Sequence, residues 1–359
     1  MSQPPAISPA DVIEVRPDEG FDEARVAAHL RGKLPGSERP LTVRQFAGGH
    51  ANLTYQLRFG EGDDAIEYVL RRPPLGPVAP GSHDMSREHR VLSVLWKAFP
   101  LAPRSFLFCD DPAILGAPFF VMERRRGVVV RGAIPPEFGS GNDADANRKL
   151  ARVVVDVLAE FHAVEPAKAE LGDLGRPDGF LERQVKGWTE RFERAKVDAF
   201  PLAEELQRWL LDNLPASPAP TLLHNDWRLD NMAVAADDPG RCVAVYDWDM
   251  CTRGDPLCDL GTVLGVWYDP DEIPASLNPM PTLAPGFLRR AEAAQRYGEQ
   301  SGRDLSQLPY YLVFGTFKMA VVLQQIYFRF HQGQTRDARF AGMGEGAKAL
   351  FRLAGARRP

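Results

Sequence analysis

Cysteine is scarce in this chain of 359 residues: there are four, Cys109, Cys242, Cys251 and Cys258, and no two of them form a CxxC pair. That spacing excludes a disulfide framework and a cysteine-ligated metal site. An excess of positive charge is also lacking, because 43 Lys+Arg stand against 48 Asp+Glu for a net charge of −5. A protein that grips a polyphosphate backbone needs the opposite balance, so nucleic acid is not an expected partner. The opening residues, MSQPPAISPADVIEV, do not run from basic to apolar as a secretory signal does. A reducing cytoplasm is therefore the simplest compartment. No apolar run is free of polar groups: the longest, Leu308 to Phe328, carries Lys318, Gln324 and Gln325 and reads as a buried helix, so no membrane is expected either. Nothing in the pattern calls for an obligate protein partner.

What is present suits two domains with a sizeable core, at 44% hydrophobic and 25% charged residues. Residues 1–20 hold four prolines and no apolar period and read as a flexible N-terminal tail. From 21 to 124 the chain reads as a first lobe. LTVRQF, LTYQLRF and IEYVLR alternate partly in polarity and are separated by GGHAN and GEGDD, as in an antiparallel meander. A helix follows, with Asp84 as N-cap and Met85, His89, Leu92, Leu95 and Trp96 on one face, and then the strands SFLFC and APFFVMER. From 125 to 359 the pattern is mainly helical, over 145–164, 178–198, 201–213, 256–268, 284–301, 308–331 and 336–353. Short strands near Thr221–Leu223 and Cys242–Tyr246 interrupt it.

Each of those two strands runs into polar residues. The first leads to His224-Asn225-Asp226-Trp227-Arg228-Leu229-Asp230-Asn231, the second to Asp247-Trp248-Asp249. A carboxylate and a carboxamide five residues apart on a tight loop can serve one purpose, the first accepting a hydroxyl proton and the second holding a hard cation. An Asp at a strand end supplies a second oxygen ligand. Such a set suits Mg²⁺, which completes its shell with water and substrate phosphates.

The pattern HxDxxxxN, a strand ending in DxD, and then DPLxDL (Asp255 to Leu260) resembles the aminoglycoside phosphotransferase family, a branch of the protein-kinase-like fold. The resemblance extends from about Leu41 to Phe351. It implies a bilobal α+β fold, with a small antiparallel-sheet N-lobe, a larger mainly helical C-lobe and the active site between them. It also implies an ATP-dependent kinase, with GTP as the alternative donor, acting on the hydroxyl of a small molecule with Mg²⁺ as cofactor. Residue by residue, it makes Asp226 catalytic, Asn231 and Asp247 metal ligands, and His224 and Asp249 supporting residues. Asp255 and Asp259 read as structural, the Asp-Pro step being a helix start. In the first lobe the resemblance places nucleotide phosphates against Gly48, Gly49 and Asn52, although a GG turn is also an ordinary hairpin. The usual phosphate-binding Lys is replaced by Arg71, with Glu88 as its helix partner; the alternative there is a surface ion pair. The adenine edge falls at Met122, Glu123 and Arg124.

VLRRPP, HDMSREHRVL and HNDWRLDN look most like the phosphotransferase domains associated with acyl-CoA dehydrogenases, which implies a hydroxyacyl-CoA or related metabolite as acceptor. The rivals are an aminoglycoside or macrolide kinase, a catalytically inactive nucleotide-binding module, and a metal-dependent hydrolase, the last poorly served by one His among scattered Asp. Lys318, Gln325 and Arg329 lie 7 and 4 residues apart and could share a helix face toward the substrate. Residues 329–359 carry seven basic residues against two acidic, which leans toward an anionic acceptor, the alternative being a solvated helix face.

Overall fold

The computed structural model describes residues 12–47, 52–76, 83–270, 272, 277, 280–335 and 337–359, and the chain divides into two compact units. The first comprises residues up to 127 together with 169–171 and 243–250. Its frame is a six-stranded antiparallel sheet: β1 (Val12–Ile13), β2 (Leu41–Phe46), β3 (Leu53–Phe59), β4 (Ile66–Arg72), β5 (Ser105–Cys109) and β6 (Phe119–Glu123), in the order β1-β2-β3-β4-β6-β5. The tail expected over 1–20 is described from residue 12, where Val12 and Ile13 pair with Phe46 and Gln45 as an edge strand. Helices α1 (Glu23–Leu30), α2 (Met85–Leu95) and the single turn α3 (Pro112–Leu115) complete this unit. Sequence periodicity missed α1, yet its signal is local. Asp22 caps it by accepting from the Arg25 N–H, and Val26 and Leu30, four apart, bury against Leu57, Phe59, Leu70 and Val121 of the sheet.

Alternation along β4 fixes what the sheet offers on each side. Tyr68 and Leu70 join the core under α1, whereas Arg71 reaches Glu88 on α2. Asp84 caps α2 as expected, accepting from the N–H groups of Ser86 and Arg87. Glu88 then falls on the buried face with Met85, Val91, Leu92 and Leu95.

The second unit holds 128–168, 172–242 and 251–359. Its helices are α4 (Ala144–His162), α5 (Phe180–Ala195), α6 (Pro201–Asp212), α7 (Pro256–Gly265), α8 (Arg290–Ser301), α9 (Leu308–His331) and α10 (Met343–Ala356). Strand β7 (Thr221–Leu223) pairs antiparallel with β10 (Thr252–Gly254), and β8 (Met232–Ala235) pairs with β9 (Asp238–Val245). Helix α8 begins six residues later than its apolar period suggests, because Gly286 turns the chain at φ +78° just before it. Helix α10 starts late as well, after a 3₁₀ turn over Ala338–Gly342.

Helix α9 has the length and composition of a membrane span, but half of its most apolar window is buried inside the protein. Small residues make that burial close. A Cβ at Gly315 would lie 2.0 Å from the Gly261 carbonyl oxygen of α7, and one at Gly265 would lie 2.8 Å from the Thr316 nitrogen. These are backbone contacts that no side-chain rotation relieves. Gly315→Ala is expected to cost about 2–3 kcal/mol through overpacking, read as a fall of about 5–10 °C in Tm. An unchanged Tm would mean that the two helices do not meet so closely.

Candidate active site

In the second unit, strand β7 delivers the chain at Leu223 into the loop 224–231, and one buried carboxylate shapes that loop. Asp259, on the first turns of α7, accepts from the backbone N–H of His224 at 2.7 Å and of Asn225 at 2.8 Å. Two consecutive N–H groups on one carboxylate force a tight turn, and Asn225 adopts φ +67° there. His162 closes the other side of Asp259, with Nε2 at 3.4 Å and Nδ1 at 2.7 Å from the Tyr297 hydroxyl. Burial would raise the Asp259 pKa, but the hydrogen bond and charge of His162, with His224, outweigh it and hold the carboxyl below its usual value. Burial lowers the His162 pKa, against the pull of Asp259.

The loop so held presents Asp226. Asn231 Nδ2 donates to the Asp226 carbonyl at 2.8 Å and to its Oδ2 at 2.9 Å, leaving Asn231 Oδ1 as the atom free to face a ligand. Arg228 Nε lies 3.4 Å from Asp226 Oδ1, and its Nη2 pairs with Asp230 at 3.0 Å. His224 Nδ1 accepts from the Asp226 N–H at 3.3 Å. Trp227 anchors the loop below, donating to the Val154 carbonyl at 2.8 Å and stacking on Phe161. Lys318 of α9 arrives from the other side: Nζ donates to the Asn225 carbonyl at 2.8 Å and stands 5.5 Å from the Trp188 ring. Burial lowers the Lys318 pKa, with the charges of Asp226 and Asp259 opposing.

In the first unit, Arg71 is enclosed by acceptors. Its Nη1 lies 2.6 Å from Glu88 Oε1, and its Nη2 pairs with Asp247 Oδ1. With the Asn52 amide oxygen turned toward it, Arg71 also donates to Asn52 from Nη2 (2.7 Å) and Nε (3.1 Å), while the Asn52 nitrogen faces His83 Nδ1 at 2.8 Å. In that orientation Asn52 serves Arg71, whose fork of five donors among buried surroundings demands acceptors. Burial would lower the Arg71 pKa, but Glu88 and Asp247 together raise it. Burial pushes the Glu88 carboxyl up, against Arg71 and with help from Asp247 and Asp249. Asp247 takes φ +67° at the end of β9, and Trp248 behind it donates its backbone N–H to Glu88 at 3.3 Å.

Met122, Glu123 and Arg124 are placed at the end of β6, but much of their capacity is engaged. The Glu123 N–H donates to the Arg104 carbonyl at 2.8 Å, and Arg124 pairs with Glu67 at 2.5 Å, as does Arg126. Met122 is buried. Gly48 and Gly49 lie outside the described residues. Gln325 and Arg329 line an open groove beside α9, whereas Lys318 reaches the loop 224–231 at the Asn225 carbonyl. The basic C-terminal stretch is mostly tied into the structure: Arg357 pairs with Glu272 at 2.9 Å, Arg358 with Glu205 at 2.5 Å, Lys348 with Glu345 at 2.8 Å and Arg339 with Asp337 at 2.6 Å. The lean toward an anionic acceptor therefore does not follow from those residues.

Comparison with known proteins puts the chain among phosphotransferases of the kinase-like kind. The model for the phosphotransferase enzyme family, known as APH, matches residues 42–308, and the chain belongs to that family. Acyl-CoA dehydrogenase family member 11 of chicken (Gallus gallus) is 32% identical over 331 residues, covering 88% of this chain and 41% of the chicken protein. The human protein of the same name is 31% identical over 341 residues, covering 92% of this chain and 42% of its own length. The chain thus spans well under half the length of these relatives. A solved structure from Ralstonia eutropha, provisionally described as an aminoglycoside phosphotransferase, superposes with a TM-score of 0.79 at 26% identity, covering 94% of this chain and 98% of that one. The fold is the bilobal kinase-like one, with a small antiparallel-sheet lobe and a larger, mainly helical lobe.

Asp259 is the residue whose importance sequence reading understated. It reads as structural from the sequence, and the helix start itself belongs to Asp255, whose side chain accepts from the Leu257 N–H. The available signal was its apolar surroundings in DPLCDLGTVLG, where an internal acid demands a partner.

Two outcomes are expected. Arg71→Met leaves Glu88 buried without its countercharge and should cost about 3–5 kcal/mol, measured by urea unfolding; a cost under 1 kcal/mol would reduce the pair to a surface contact. His162 has a depressed pKa when folded and an ordinary one near 6.5 when unfolded, so the unfolded chain binds the extra proton. Stability should fall as pH drops below about 6.5, and His162→Gln should flatten that part of the Tm–pH curve. An identical slope in the variant would show that His162 is not the group responsible.

Proposed function

We propose that this protein is an ATP-dependent small-molecule kinase that moves the γ-phosphoryl group to a hydroxyl of its acceptor, with GTP as the alternative donor. The observation that carries the reading is Asp226, a carboxylate on a loop fixed from below by Asp259 and from the side by Asn231. In this reaction Asp226 orients the acceptor hydroxyl and takes its proton, and the work is mainly positioning and electrostatics. Arg71, held in line by Glu88 and Asn52, meets the phosphates, and the family resemblance assigns Gly48 and Gly49 to them as well. Recognition of adenine at Met122, Glu123 and Arg124 rests on the family resemblance alone.

The donor set fits Mg²⁺. Asn231 Oδ1 and the Asp247 carboxylate are hard oxygens, and among the described residues no group of three or more His, Cys, Asp or Glu could hold a metal by itself. A cation that completes its shell with water and phosphate needs no such cage. Asp247 and Asn231 would hold it, with Asp249 close by; when bound, it would neutralise charge on the phosphates.

The first candidate acceptor is a hydroxyacyl-CoA or a related anionic metabolite. Arg228 of the same loop and Lys318 of α9 bring positive charge to Asp226, beside the acid Asp230, and those cations oppose a polycationic ligand. An aminoglycoside or macrolide remains the second reading, on the likeness to the Ralstonia structure. Against an inactive nucleotide-binding module stands Arg71, which still makes the Glu88 pair expected of the residue it replaces. The four free cysteines agree with a reducing cytoplasm.

Thermal-shift titration with ATP and GTP, with and without Mg²⁺, and ADP release with hydroxyacyl-CoAs and aminoglycosides test the reading. Asp226→Asn should lower turnover by about 10²–10⁴-fold and keep the Mg·nucleotide shift, whereas Asp247→Asn should lose both. Normal turnover in Asp226→Asn, or no Mg·nucleotide shift in the folded parent, would overturn it.

A further inference from the structure

Helix α9 is apolar along most of its length, and Lys318 is the one charged side chain between Leu308 and Phe328. An amine among such neighbours loses water and needs partners from the protein. The partners it finds belong to two other elements. Nζ donates to the Asn225 carbonyl at 2.8 Å, across 93 residues of sequence, and lies 5.5 Å from the Trp188 ring of α5. That ring is buried where α5 packs on α9, and it carries Arg191 as well, at 4.4 Å. The amine is thus seated between a ring face and one particular backbone carbonyl.

That carbonyl and the Asp226 N–H are the ends of a single peptide plane. Lys318 holds the carbonyl end at 2.8 Å, and His224 Nδ1 accepts from the N–H end at 3.3 Å. The plane before it is held too, because the Asn225 N–H donates to Asp259 of α7 at 2.8 Å. Rotation of the 225–226 plane turns ψ of Asn225 and φ of Asp226 together, and with them the direction in which the Asp226 side chain leaves the backbone. Asn225 stands at φ +67°, an uncommon backbone for a residue with a Cβ, which persists while surrounding contacts hold it. Helix α7 supplies such a contact at the Asn225 N–H, and α9 supplies one at its carbonyl.

We propose that Lys318 is a positioning residue for the phosphoryl transfer: by holding the Asn225 carbonyl it sets the 225–226 peptide plane, and through that plane the aim of the Asp226 carboxylate at the acceptor hydroxyl. In this role it acts through the backbone, which sets it apart from the substrate contact that its helix spacing suggested. The proposal rests on the kinase reading for the use made of Asp226 and on the loop geometry alone for the clamp. Misaiming of a catalytic group shows in kcat, whereas the nucleotide contacts proposed at Arg71 and Asp247 lie elsewhere and leave KM for Mg·ATP in place.

The test separates the clamp from its catalytic use. Hydrogen exchange, followed by mass spectrometry of peptic fragments, is compared for the parent, Lys318→Met, Lys318→Arg and Lys186→Met, the last removing an exposed lysine of α5. Phosphate release from Mg·ATP, with water as the acceptor, is measured on the same proteins. Lys318→Met should speed exchange of the fragment spanning 222–231 about tenfold, with α7 and α9 unchanged. Its kcat should fall about 10–10²-fold and its KM stay within about threefold of the parent. Lys318→Arg, which keeps a donor, should recover most of both, and Lys186→Met should alter neither. Parent-like exchange or kcat in Lys318→Met overturns the proposal. Faster exchange spread through α7 and α9 also overturns it, by making Lys318 a general packing residue, as does a raised KM with kcat kept, by making it a ligand contact. If Lys318→Met fails to fold by circular dichroism, Lys318→Ala takes its place with the same criteria. On the parent, absence of both a Mg·ATP thermal shift and phosphate release removes the kinase reading, while faster loop exchange in Lys318→Met still establishes the clamp. Both present, with unchanged loop exchange in the variant, keeps the reading and removes the clamp.

Discussion

The second unit's chemistry depends on one buried carboxylate. Asp259 collects two successive backbone N–H groups and the His162 imidazole, and so converts a polar stretch into a loop of fixed shape. Every feature argued for Asp226 follows from that shape: the bracing by Asn231, the approach of Lys318 to the Asn225 carbonyl, and the seat of Trp227 against Phe161. An acid with no exposure to water is tolerable only because its acceptor capacity is filled. The same saturation makes the loop stiff, which suits a reaction whose catalysis is largely positioning.

The first unit applies the same logic with the sign reversed. There a buried cation, Arg71, draws Glu88, Asp247 and Asn52 around it. Arginine in place of lysine changes the geometry more than the charge, because its fork engages three partners at once where an ammonium is a single point. Asp247 is held in a left-handed backbone conformation at the end of its strand, as Asn225 is after β7. Strain of that kind persists where surrounding contacts over-determine the position, and here those contacts are ionic.

Between the catalytic loop and the far end of α9, the charges are arranged differently again. Lys318 is satisfied by a carbonyl and an aromatic face, whereas Arg191, Arg194 and Arg329 pair with no carboxylate among the described residues. The contrast with the C-terminal arginines is instructive, since Arg357 and Arg358 find Glu272 and Glu205. Net charge along the sequence thus says little about which cations are paired.

The sequence by itself determined most of the longer strands and helices, though not α1 or the short β1, α3, β8 and β10, together with the caps at Asp84 and Asp255 and the motif Asp226, Asn231 and Asp247, because these depend on neighbours a few residues away or on a spacing that the chain prints directly. It could not determine contacts that join distant segments. Asp259 lies 35 residues from the His224 N–H that it accepts, Arg71 lies 176 from Asp247, and Lys318 lies 93 from the Asn225 carbonyl. Charged side chains carry no periodic signal of their own, and their partners are chosen by which buried donors and acceptors the packed core leaves within reach. That selection was made by the tertiary structure.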